Sequence, residues 1–239
     1  GWSNIIDFIT VATLGNAADF GDLTQKRMQQ SSVNNKIRGI TGGGQIAPNY
    51  TPVNTIDYVT IAQTGNAVDF GDTTNAKTSI ASVSSSTRGV FGHGNQSPSY
   101  YGYADFVTMA STGNATTFGE LSANNRNSLY GGGSSSTRGI FFGGYITTDI
   151  EFITIATTGN SQDFGDLTVA RFQGTGLSSS TRDVLVGNRI SPGSSNGNTI
   201  DFIEIATTGN AVDFGDLSSA LGSQNGYGGQ SNGHGGLSG

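Results

Sequence analysis

An all-β fold is what the sequence predicts, and three observations predict it. One pattern recurs five times along the 239 residues. Each copy holds four short strand signals, and none holds the 3.6-residue apolar period of a helix. The fifth copy stops in mid-repeat, where the first copy begins. Together they describe a closed ring of five four-stranded antiparallel sheets.

The repeat comes first, because a period of 20–50 residues decides the architecture. Residues 6–23 read IDFITVATLGNAADFGDL, and 56–73 read IDYVTIAQTGNAVDFGDT. The same text returns at 104–121, 150–167 and 200–217. Gly-Asn pairs begin at 15, 65, 113, 159 and 209, with spacings of 50, 48, 46 and 50. A second half follows each: SVNNKIRGITGGG at 32–44, VSSSTRGVFGHG at 83–94, GSSSTRGIFFGG at 133–144 and LSSSTRDVLVGN at 177–188. The fifth, SNGHGGLSG at 231–239, is degenerate.

Four strands fit each copy. In the second they are 79–84 and 88–91; in the third, 105–110 and 116–121. Gly-Asn between the last two supplies the positive φ of a tight hairpin. Four strands in about 48 residues is one propeller blade. Closure follows from arithmetic. His234 stands where Arg38, Arg88, Arg138 and Arg182 stand in the other copies. The Gly pair expected five and six residues later falls on Gly239 and then Gly1. A linear solenoid needs atypical ends, whereas a ring needs ends that meet. The sequence therefore predicts one domain over 1–239, a five-bladed β-propeller. Its repeats are approximately 5–55, 56–103, 104–149, 150–199 and 200–239 closing with 1–4. One blade is shared between the termini, with strands near 222–239 joining strands from 5–23.

Composition removes whole classes of function. Cysteine is absent, so there is no disulfide framework and no thiolate chemistry. Two histidines leave no multi-histidine metal site, and no cofactor is expected. A net charge of −6 opposes a phosphate-tracking surface, so nucleic acid is not an expected partner. No run of 18 apolar residues exists, so membrane insertion is not expected either. The opening Gly-Trp-Ser has no basic-then-apolar stretch and no initiator Met. The expectation is no signal peptide, in a processed product or a fragment.

The pattern resembles kelch repeats. The matching residues are the paired glycines Gly43-Gly44 and Gly143-Gly144, and an aromatic, Phe20, Phe70, Phe118, Phe164 or Phe214. Leu23, Leu121, Leu167 and Leu217 follow three places on, and Arg27, Lys77 and Arg171 come later. Phe stands where that family usually has Trp, and five blades is fewer than its usual six or seven. TGNAxDFGDL and SSSTRG are also similar to repeats in virion-associated proteins of marine phages, especially cyanophages. That resemblance implies a virion or extracellular setting.

The repeated residues read mainly as scaffold. The five phenylalanines supply one large apolar side chain per sheet for packing between sheets. Asp-Phe-Gly at 19–21, 69–71, 163–165 and 213–215 matches a kinase magnesium motif, but the rest of a kinase is missing. The acid pairs Asp19/Asp22, Asp69/Asp72, Asp163/Asp166 and Asp213/Asp216 cap turns or, in a second reading, bind calcium. Arg38, Arg88, Arg138 and Arg182 form a ring, paired with the repeated Asp residues or offered to an anion. His93 and His234 sit in Gly-rich surroundings at different registers and make poor bases.

The copies differ most between their second and third strands: 45–54, 95–103, 145–148 and 189–198. These loops emerge on one face and carry Tyr50, Tyr100, Tyr101, Tyr103 and Tyr145; the shared blade adds Trp2. Tyr among Ser, Gly and Asn suits adaptable recognition. The competing reading is that they pin long loops to the rim. These six are the candidate ligand-binding residues. The expected function is a non-catalytic binding or structural propeller, tail-associated or capsid-decorating. Its expected partner is a host-surface glycan or another virion protein, and it acts as a monomer or homo-oligomer. Two alternatives stand: a carbohydrate hydrolase or lyase with its site over the central channel, and a self-assembling structural protein.

Overall fold

The computed structural model describes residues 2–92, 94–96, 99–122, 131–144, 147–186, 189–190 and 195–221. The fold is all-β and antiparallel; no helix occurs among the described residues. The strands expected at 105–110 and 116–121 are Tyr103–Thr108 and Thr116–Glu120. The strand expected at 79–84 is shorter, Ser82–Ser84, because Ser79 takes a positive φ of 57° and breaks the extended run.

Four sheets share one plan, with strands paired in chain order; the first two are called the inner pair and the last two the outer pair. Sheet II is Ser31–Asn34, Arg38–Gly42, Thr55–Thr60 and Val68–Asp72. Sheet III is Ser82–Ser84, Arg88–Phe91, Tyr103–Thr108 and Thr116–Glu120. Sheet IV is Gly131–Ser134, Arg138–Phe142, Asp149–Thr154 and Gln162–Asp166. Sheet V is Thr175–Ser178, Arg182–Val186, Ser195–Glu204 and Val212–Leu221. Among the described residues, sheet I holds one hairpin, Ser3–Phe8 and Ala18–Arg27. Each complete sheet takes its inner pair from one sequence repeat and its outer pair from the next. The segment 222–239, expected to supply the inner pair of sheet I, lies outside the described residues.

One seam is built four times between successive sheets. The Gly-Asn turn of each sheet docks on the Phe-Gly-acid run of the sheet before it. Gly65, Gly113, Gly159 and Gly209 donate their N–H groups to the carbonyls of Phe20, Phe70, Phe118 and Phe164, at 2.7, 2.7, 2.9 and 2.7 Å. Asn66, Asn114, Asn160 and Asn210 accept through Oδ1 from the N–H groups of Asp22, Asp72, Glu120 and Asp166. The approach is so close that a Cβ on Gly71 (φ 144°) would lie 2.5 Å from the Gly113 carbonyl oxygen. Glycine is therefore required there on both counts.

Between the seams lie apolar layers. Val33, Phe70, Phe91, Val107 and Met109 fill the space between sheets II and III. Ile140, Phe164, Leu185, Ile203 and Ile205 do the same between IV and V. Each repeated Phe meets an aromatic of its own sheet edge to face, from Phe8–Phe20 at 6.0 Å to Phe202–Phe214 at 6.1 Å. Four of the five repeated phenylalanines are buried, Phe164 to 3% exposure. Phe214 is a correction: it is 57% exposed, because no Gly-Asn turn sits on its strand. The turn at Gly15-Asn16 is equally open, and among the described residues nothing lies within 4 Å of a Cβ built on Gly15 or Gly215.

Candidate functional site

The variable loops are ordered by small hairpins of their own. Gln45–Ile46 pairs with Thr51–Pro52, and Gly94–Gln96 pairs with Ser99–Tyr101. Arg189–Ile190 pairs with residues 195–196 of the long third strand of sheet V. The first of these loops is tied back to the end of sheet I. Met28 and Gln45 exchange both backbone hydrogen bonds, at 3.1 and 2.9 Å. Gly44 donates to the Lys77 carbonyl at 2.8 Å, which also fixes the loop to the segment leading from sheet II to sheet III.

These anchors bring two candidate residues together. Trp2 and Tyr50 face each other with ring centroids 5.3 Å apart and planes inclined by 50°. Tyr50 is 61% exposed and sits at a positive φ of 55°. Trp2 is half-buried. Trp2 stands just before the first strand of sheet I, and Tyr50 lies 48 residues on, in the turn of the Gln45–Ile46/Thr51–Pro52 hairpin. Tyr103 stands at the head of its strand, 44% exposed. Tyr100 and Tyr101 lie on a described strand, but their side chains lie outside the described residues, as does all of Tyr145.

Beneath this end lies a set of buried charges whose pairing the sequence reading missed. Arg27 meets Asp57 at 2.6 Å, Lys77 meets Asp105 at 2.7 Å and Arg171 meets Asp201 at 2.8 Å. Arg27 ends the outer strand of sheet I, whereas Lys77 and Arg171 lie beyond the outer strands of sheets II and IV; each meets an acid on the third strand of the next sheet. Burial pulls all three cations below their ordinary pKa, and the facing carboxylate opposes that shift. Glu151 occupies the same place in sheet IV and accepts from Ser122 N–H and Ser161 Oγ at 2.8 and 2.5 Å. Thr24, Thr74 and Thr168 also donate to Asp57, Asp105 and Asp201. The pattern was visible as an acid at each third strand and a cation at 27, 77 and 171.

The arginine ring behaves differently from either sequence reading. Arg38, Arg88 and Arg138 lie over Tyr58, Phe106 and Phe152 at 4.7, 4.5 and 4.5 Å. Their Nη1 groups donate to the carbonyls of Met109, Ile155 and Ile205 in the following sheet. They are pins across the seam, engaged by aromatic faces and carbonyls instead of the repeated Asp residues. Arg182 lies over Phe202 at 4.7 Å but turns to Glu204 at 2.6 Å. Its seam partner by register, Val11, is 93% exposed.

The repeated acid pairs flank the seam strands. Asp19, Asp69, Asp163 and Asp213 are exposed. Among the described residues, no three His, Asp or Glu side chains gather into a metal-holding group. His93 and His234 lie outside the described residues.

Protein-family models give no match to the chain, and curated proteins give none either. The functional reading therefore rests on the residues themselves.

Proposed function

We propose that the chain is a five-bladed β-propeller that serves as a non-catalytic binding module, and that its variable-loop end takes a glycan. In this reading residues 222–239 supply the two inner strands of sheet I and bring the Gly15-Asn16 turn onto the Phe214 strand. Support for closure comes from the four identical seams and from the two unpartnered halves of a fifth. An open groove of about 360 Å³ adds to it, running between Ile5 of sheet I and Val33, Gly39 and Ile40 of sheet II.

The observation that carries the binding reading is the Trp2–Tyr50 pair. Two inclined aromatic faces at an exposed end, held by a hairpin hydrogen-bonded to Met28 and, through Gly44, to Lys77, suit the apolar face of a sugar ring. Tyr and Trp bring contact area at low entropic cost. The likeness to marine phage virion repeats supplies the setting: a tail or capsid protein that meets a host-surface glycan.

A glycan-array screen of the purified protein tests this. The double substitutions Trp2→Ala/Tyr50→Ala and Tyr100→Ala/Tyr101→Ala are run beside it. Binding that weakens at least tenfold in the first variant, with the thermal melt intact, supports the reading. An array that stays silent for folded wild-type protein contradicts it, and the loop end would then be assigned to another virion protein.

A further inference from the structure

We propose that Asp183 makes the seam between sheets IV and V proton-operated: the seam is closed with the carboxyl neutral and loosened with it ionised. Asp183 is the one place where the SSSTRG pattern changes to SSSTRD. In the other copies this position is Gly39, Gly89 or Gly139. The glycine is needed at two of them, because a Cβ on Gly89 or Gly139 would run into the side chain of Val33 or Val83 in the preceding sheet. Between sheets IV and V the relation is inverted. Gly133 stands at the register of Val33 and Val83, and a Cβ there would run into the Asp183 carboxyl. Valine over glycine has become carboxyl over glycine. The exchange keeps the packing and puts an ionisable group in a dry seam.

The surroundings favour the neutral form. Asp183 is fully buried, and its Oδ2 has no hydrogen-bond partner. Its Oδ1 accepts from Ser178 Oγ at 3.1 Å. That donation also breaks a regular ladder. Ser84 Oγ donates to the Asn34 carbonyl and Ser134 Oγ to the Ser84 carbonyl, each to the preceding sheet. Ser178 turns instead to Asp183 and accepts from Ser134 N–H at 2.8 Å. No cation answers the carboxylate among the described residues. The facing strand Gly131–Ser134 and the neighbouring strand Thr175–Ser178 carry no ionisable side chain. On the third strand of sheet V, Asp201 is held by Arg171 and Glu204 by the exposed Arg182. Arg138 lies over Phe152 and donates to the Ile205 carbonyl.

Burial pushes the Asp183 carboxyl up to about 7, against the opposing hydrogen bonds of Ser178 and the Leu177 backbone. Its folded pKa lies above its unfolded one. Stability from this group is therefore full below about 4 and declines as the pH rises towards 7, then stays level. One pH unit across that window is a tenfold change in the unfolding constant.

Urea unfolding from pH 4 to 9 tests the proposal, with Asp183→Asn as the neutral isostere. The ratio of wild-type to variant unfolding constants should rise about tenfold per unit between about 4 and 7 and then level off. A second variant, Asp183→Gly with Gly133→Val, rebuilds the valine-over-glycine contact of the other seams and should show the same flat profile as the isostere. Amide exchange at Ser134, referred to Asp183→Asn at each pH, should localise the opening to this seam. Profiles that run parallel for wild type and either variant would overturn the proposal. So would equal Ser134 protection in wild type and isostere at pH 8.

Discussion

At the scale of single residues, the molecule is held by buried groups that must stay paired. Arg171 and Asp201 are both nearly inaccessible and sit 2.8 Å apart. Such a pair adds little over an apolar packing of equal volume, yet removing one partner strands a charge in a dry site. Arg171→Leu should therefore cost about 3–5 kcal/mol by urea unfolding. Restoring an apolar partner with Asp201→Leu in the same chain should recover much of that loss. An equal loss in the single and double variants would show that the ion pair does not explain the effect. These pairs were only half legible in sequence. The acids and cations each recur at a fixed place in the repeat, but the acid at Asp57 could equally have faced Arg38. The fold decides, because Arg38 is drawn over Tyr58 and onto the Met109 carbonyl. Asp183 was visible as a departure from the repeat. Its burial was not, because that depends on Gly133 lying opposite it in another sheet.

Among the elements, the Gly-Asn hairpin is the part most fully written in the sequence. Its tight turn follows from Gly and Asn chemistry alone. Its second use, as a plug on the neighbouring sheet, does not. That use needs the Asn114 Oδ1 to reach the Asp72 N–H, and it needs Gly71 to leave room. Asn114→Ala should thus cost about 0.5–1.5 kcal/mol, the net worth of one exposed hydrogen bond across the seam. Phe164→Ala, which empties a buried aromatic site, should cost about 3–5 kcal/mol. Thermal melts of both variants check these values. A Phe164→Ala loss below about 1 kcal/mol would mean the layer between sheets IV and V is not packed as described. The strands were placed to within two residues where β-branched and aromatic residues alternate. They were missed at 79–81, where small residues carry no such signal and Ser79 turns the chain.

For the whole molecule, the repeated four-strand plan was legible, and the proposed ring says which surfaces would meet. Phe214 is exposed where Phe70, Phe118 and Phe164 are buried, and Ile9 and Val11 are exposed where Val107 and Met109, and Ile153 and Ile155, are buried. The proposed fifth seam would also differ in kind. Leu221 pairs with Gly197 at the register where Arg27 pairs with Ser3, so Asp7 has no cation from that strand. In the proposed ring, closure would rest there on the apolar layer and the turn. The most direct test uses a chain with no cysteine of its own. Asn16→Cys with Asp216→Cys places one thiol on each half of the open seam. Asn66→Cys with Asp22→Cys does the same at a seam already made, as the positive control. Both variants are oxidised at low micromolar concentration and run on a non-reducing gel. Ring closure predicts an intramolecular disulfide in the first variant, with a compact monomer band matching the control. A control that closes beside a first variant that stays reduced, or links only between molecules, would contradict it.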